Sequence, residues 1–188
     1  MKKMKMLIAV LCMMIMVFGV VTSASALYIT YTDAVLSGED TSQSAIDAII
    51  LPYIAPAVEL YKADPKDGET GSLAGSYHTV FVPATDPLTA EISYVGGDIV
   101  GPTAYLLAKD GAALPQGDPY YAWYLFDLTA LGWSGTETIT ITGLWPVTGS
   151  FSHVTLYGTS TSVPEPTTLL LLGLGLVGVA GIRRKLQK

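Results

Sequence analysis

Cysteine is nearly missing from this chain: its 188 residues hold one, Cys12. That residue and all six methionines lie in the first 16 positions. If that leader is removed, the remainder has no thiol, no disulfide and no thiolate metal ligand. Asparagine is absent, and arginine occurs only as Arg183 and Arg184. Basic charge is scarce where it would matter most. Fifteen of the 16 acids fall within residues 27–162, against Lys62, Lys66 and Lys109, a formal charge of −12. A nucleic-acid partner needs a basic face, so none is expected. An acidic polysaccharide is repelled unless cations bridge the two, and the solubility of an exported protein accounts for the charge.

What the chain does have is concentrated at its ends. Lys2, Lys3 and Lys5 precede an almost wholly apolar run, Met6–Val21, and Ala24-Ser25-Ala26 follows. A charged n-region, an apolar h-region and small residues before the cut describe a secretory signal, with Ala24 and Ala26 read by the peptidase and cleavage before Leu27. At the other end, Val163-Pro164-Glu165-Pro166 is followed by an apolar stretch and then Arg183-Arg184-Lys185. The 16 residues of Thr167–Ile182 make a helix of roughly 24 Å at 1.5 Å per residue. That is short of a hydrocarbon core of about 30 Å, so spanning requires thinning or snorkelling. The basic residues stay cytoplasmic and residues 27–166 face the other side. Gly173, Gly175, Gly178 and Gly181 allow close helix approach but form no G-x-x-x-G.

The order Val163-Pro164-Glu165-Pro166, glycine-interrupted apolar segment and basic terminus resembles the PEP-CTERM sorting domain of Gram-negative bacteria. The resemblance implies that Pro164, Glu165 and Pro166 are recognised by an exosortase, a membrane enzyme that cleaves and transfers the protein. It implies that Arg183 and Arg184 hold the helix in place during processing. It also implies export across the inner membrane, a membrane-anchored precursor, and a final place at the cell surface or outside the cell. Such systems accompany exopolysaccharide production, which makes extracellular polysaccharide a candidate partner. A fainter likeness to the last stretch of many PEP-CTERM proteins runs from Tyr124–Asp127 through Gly132-Trp133-Ser134-Gly135 and Trp145 to Ser152–Gly158. It brings no catalytic residues.

The organisation that follows is a signal peptide (1–26), an exported domain (27–162) and a sorting and anchor segment (163–188). Period-two alternation marks strands in the domain. Ile139 and Ile141 share a face within Thr136–Thr142; Leu27, Ile29 and Tyr31 face opposite to Tyr28 and Thr30; His153, Thr155 and Tyr157 alternate with Val154 and Leu156 until Gly158 ends the run. Val58–Ala63, Ser76–Val82, Ala90–Tyr94, Thr103–Ala108 and Ala122–Asp127 are further strands, parted by turns at Asp67-Gly68, Gly96-Gly97, Asp110-Gly111 and Gly132–Gly135. Ser42–Leu51 suggests one helix stopped by Pro52, with Ala48–Leu51 open to a buried-strand reading. Short strands about ten residues apart predict an all-β body, an antiparallel β-sandwich or jelly roll. Ser160-Thr161-Ser162 is expected to be a flexible tether.

Chemistry is thin. His78 and His153 are too few for a His-rich site; on adjacent strands they would share one metal with an aspartate, and otherwise each is a half-exposed strand residue. Gly132-Trp133-Ser134-Gly135-Thr136 lacks the last glycine of G-x-S-x-G, leaving Ser134 as a turn serine. Ser152 and His153 are strand neighbours and point to opposite faces. The acidic loop of Asp64, Asp67 and Glu69 offers oxygen ligands of the kind Ca²⁺ takes, without EF-hand spacing and with Lys66 among them; the alternative is a solvated hairpin. No other cofactor is expected. Alternation puts Tyr121, Trp123 and Leu125 on one face and Ala122, Tyr124 and Phe126 on the other; one set is core, and an exposed set would stack on sugar rings, making Tyr121, Trp123 and Tyr124 the carbohydrate candidates. The function expected is therefore a non-catalytic surface or matrix protein associated with exopolysaccharide. The alternative is a secreted polysaccharide hydrolase with an unrecognised carboxylate pair.

Overall fold

Five residues show how this chain builds sheets. In Thr138–Thr142, Ile139 and Ile141 are fully buried while the threonines point outward, the alternation a half-covered strand requires. A computed structural model describes residues 26–111, 120–145 and 149–163, together with Gly173 and Gly175. Among them are ten strands: β1 (Ala26–Ile29), β2 (Leu36–Gly38), β3 (Val58–Asp64), β4 (Gly68–Thr70), β5 (Tyr77–Val82), β6 (Thr89–Tyr94), β7 (Ile99–Asp110), β8 (Trp123–Asp127), β9 (Thr138–Thr142) and β10 (Phe151–Thr161). They form a four-stranded sheet, β1-β9-β6-β5, and a six-stranded sheet, β2-β8-β7-β10-β3-β4. The body is all-β in two sheets, as expected, but not purely antiparallel: β1 runs parallel to β9, with Ala26 opposite Thr138.

The main core lies between the sheets, where Tyr61, Leu106, Tyr124, Phe126, Val154 and Leu156 meet Ile29, Ile92, Ile139 and Ile141. A second core covers the other face of the larger sheet. Helix α1 (Gln43–Ile54) lays Ile46, Ile50 and Ile54 on Leu107, Trp123, Leu125 and Tyr157. Ser42 starts the helix, its Oγ accepting from the Ala45 amide at 3.3 Å. Pro52 does not stop it. The carbonyl four residues back belongs to Ala48, which like Pro52 is exposed, so the bond that proline cannot donate is lost at the surface, and burial of Ile54 carries the helix one turn further.

Two other expectations are corrected. Gly158 does not end its strand: β10 continues to Thr161, and the glycine is needed because a Cβ there would strike the Thr103 carbonyl and the Val100 side chain. The tether is shorter than expected for the same reason. Ser160 and Thr161 pair with Val100 and Ile99, leaving Ser162 and Val163 as the residues between the sheet and Pro164.

The signal segment through Ala24, the motif Pro164-Glu165-Pro166 and the terminal Arg183, Arg184 and Lys185 lie outside the described residues. No helix among the described residues is long and apolar enough to cross a membrane.

Candidate functional site

The acidic loop is the turn between β3 and β4. Asp64 Oδ1 accepts from the amides of Lys66 (2.8 Å) and Asp67 (3.3 Å), so this carboxylate closes its own turn. Glu69 looks elsewhere: its Oε1 accepts from the Thr79 amide at 2.7 Å and lies 2.9 Å from His78 Nδ1. That carboxylate therefore occupies part of the otherwise open edge of β5. Asp67 is exposed on the turn. Asp64, Asp67 and Glu69 are thus neighbours in sequence with separate tasks, and among the described residues no three His, Asp or Glu side chains are grouped to hold a metal.

The histidines are not on adjacent strands of one sheet. His78 is exposed on β5 of the smaller sheet, whereas His153 is 5% exposed on β10 of the larger one. Neither is half-exposed. His153 lies opposite Lys109 on β7, beneath the N-terminal half of α1, and lines a cavity of about 290 Å³ with Gln43, Asp47, Glu59, Lys62 and Tyr157. Burial pushes its imidazole down to about 4, with the charges of Lys62 and Lys109 adding to the effect and Asp64 opposing it. The ring is neutral at ordinary pH. Among the described residues its Nε2 has no hydrogen-bond partner, and neither does Gln43 Oε1, whose amide nitrogen donates to Asp47 at 2.8 Å. Burial, then Glu59 and Asp47, raises the Tyr157 phenol, so it too stays protonated. These groups can hold a ligand's hydroxyls but are poorly suited to move protons at neutral pH.

Ser152 departs from the strand rule. A register shift between Phe151 and His153 brings its Oγ to 3.3 Å from His153 Nδ1 instead of sending the two side chains to opposite faces. With so low a basicity the imidazole is a weak base for that hydroxyl. Ser134 is, as expected, a turn serine, but a committed one. Its Oγ and amide donate to the two Glu137 oxygens at 2.6 and 2.8 Å, and the Trp133 indole donates to the Glu137 carbonyl at 2.8 Å. Burial alone would raise the Glu137 carboxyl; the bonds from Ser134 and the nearby backbone outweigh it and hold the group below its usual value.

The aromatic candidates do not form an exposed row. Trp123 and Leu125 do share one face of β8 and Tyr124 and Phe126 the other, but both faces are covered. Trp123 (1% exposed) lies under α1 and against Gly38; Tyr124 (3%) sits between the sheets. Only Tyr121 of the three reaches solvent, its ring edge-on to Tyr124 at 6.1 Å. Sequence reasoning missed that α1 would cap the second face. It also missed Tyr77, which bridges the sheets by donating to the Gly135 carbonyl and accepting from the Val100 amide, both at 2.9 Å.

The last strand hands directly over to the tail. Beyond Thr161, Ser162 and Val163 are exposed. The described residues form a two-sheet β-body with one covering α-helix, and the sequence beyond it is of another character. That segment has a family: the model described as the PEP-CTERM protein-sorting motif matches residues 162–185, and the chain carries this motif. It implies an exported protein that is processed by an exosortase, with Pro164, Glu165 and Pro166 inside the matched stretch. No curated protein and no solved structure matches the chain.

Proposed function

We propose that residues 27–161 are a non-catalytic β-body which the sorting segment delivers to the cell surface or extracellular matrix, where it associates with exopolysaccharide. The observation that carries this reading is the junction. The matched segment starts at residue 162, one position past β10, so sorting acts directly on a folded body. Val163 to Pro166 and the basic stop at Arg183 to Lys185 then serve delivery, and the body serves whatever is met outside. The α1–β10 cavity is a better candidate for sugar contact than the aromatics of β8. It combines the acceptors Asp47, Glu59 and Gln43 Oε1 with the donor Lys62 beside the buried ring of Tyr157. Its volume of about 290 Å³ is just below the roughly 300–1,000 Å³ usual for ligand pockets, room for a short stretch of a chain rather than a large ligand.

A glycan array probed with the purified protein, with and without Ca²⁺, tests this. The expected result is binding that drops severalfold in Asp47→Ala and Lys62→Ala without any shortening of the glycan. No binding to any extracellular polysaccharide contradicts the association, and release of shorter sugars points instead to the hydrolase.

A further inference from the structure

Strand registers fix where the two ends of the body emerge. β1 begins at Ala26 opposite Thr138, three residues past Gly135. Gly135 packs so closely on Ile99 and Val100 that a Cβ would come within 2.9 Å of the Val100 carbonyl. β10 ends at Thr161, which pairs with Ile99 itself. Both ends of the described body therefore leave beside one short stretch of β7. The opposite end is made by the turn from Asp64 to Gly68, the loop Pro83–Pro87, and Asp110, which pairs with Phe151; the Phe151 amide donates to the Pro87 carbonyl at 2.9 Å. The 11 residues of β10 run between the two ends, a separation of roughly 35 Å at about 3.3 Å per residue.

Each end of the body is close to an apolar segment. Thr22 to Ser25 lie between the run ending at Val21 and β1, and Ser162 to Pro166 lie between β10 and the run starting at Thr167. Fully extended, either connection reaches at most about 20 Å. Neither is long enough to let the body turn over.

We propose that in the anchored precursor the body stands on the bilayer by the end that carries Ala26, Asp98, Thr136 and Thr161, and displays the Asp64–Gly68 turn and the Pro83–Pro87 loop away from it. The lipid surface is the partner of the near end. The far end is what an extracellular partner meets first. This orientation rests on the reading of the tail as membrane-inserted before processing.

The scarcity of cysteine makes the test direct. In full-length protein carrying Cys12→Ser, single cysteines replace exposed Asp98 or exposed Lys66, are labelled with a fluorescent maleimide, and are reconstituted into vesicles with nitroxide on the lipid headgroups. The Asp98→Cys label should be quenched severalfold more than the Lys66→Cys label. Thr136→Cys and Thr85→Cys repeat the near and far arms. A vesicle-bound chain with equal quenching, or with the far label quenched more, overturns the orientation and leaves insertion standing. A chain that does not remain with the vesicles overturns insertion, and the orientation with it.

Discussion

His153 is the residue whose environment departs furthest from what its neighbours in sequence suggest. Its value falls from 6.5 to about 4, so the unfolded chain takes up a proton near pH 6.5 and the folded chain does not until about pH 4. The neutral ring therefore contributes stability that is complete above pH 6.5 and is lost as pH falls through this window. At about 1.4 kcal/mol per pH unit the loss reaches about 3 kcal/mol. Urea melts of the purified protein between pH 7 and 4.5 should show the decline, and His153→Leu should flatten it; an unchanged slope in the variant contradicts the buried neutral ring. Tyr77 makes a different claim. Its phenol, pushed by burial to about 12, satisfies two backbone groups at once. Tyr77→Phe should cost about 1–3 kcal/mol, because it strands the Val100 amide and the Gly135 carbonyl rather than just one hydroxyl. A melt within experimental error of the wild type would show the bridge to be dispensable. Neither role was legible in sequence. Period-two spacing assigns a residue to a face, but it does not say which face will be covered, or by what.

At the scale of elements, strands were the readable part. Ile139 and Ile141 in β9 lie where alternation puts them, and strands form over the expected runs from Val58 and from Ala122, the second starting one residue later at Trp123. β2 and β4, three residues each, are too short to carry a period and went unseen. The helix was legible from Ser42 and its isoleucines, but its end was not. Pro52 is a local stop signal that tertiary burial of Ile54 overrides. The same helix explains why the aromatic cluster misled: it turns what looked like an outer face of β8 into a second core. Ile50→Ala should thus behave as a core substitution and destabilise by about 2–5 kcal/mol, and a surface-like change of under about 0.5 kcal/mol would mean that α1 does not pack as described. Gly158 sits on the other side of this lesson. Read as a terminator, it is a crossing point where β10 passes Thr103 and Val100. Gly158→Ala should overpack the site and cost about 1–3 kcal/mol, seen as a lower melting temperature; a neutral alanine there would refute the close approach.

For the molecule as a whole, the sequence was most informative where it was least globular. The order of motif, apolar stretch and basic stop named the tail on its own, and the match at residues 162–185 agrees with it. The body gave its class but not its task, because sandwich strands are specified by burial, and burial patterns do not encode ligands. The acidic candidates show this in detail: Asp64 and Glu69 were grouped by sequence, yet hydrogen bonding pulls one into its own turn and the other onto β5. The central claim is that the terminal signals carry this body out of the cytoplasm. Mass spectrometry of the chain's two ends, after fractionation of the native host, tests it most directly. The account predicts a mature N-terminus at Leu27, recovery outside the cytoplasm, and a C-terminus that has lost the basic stop. An intact chain from Met1 to Lys188 in the soluble cytoplasmic fraction would contradict it.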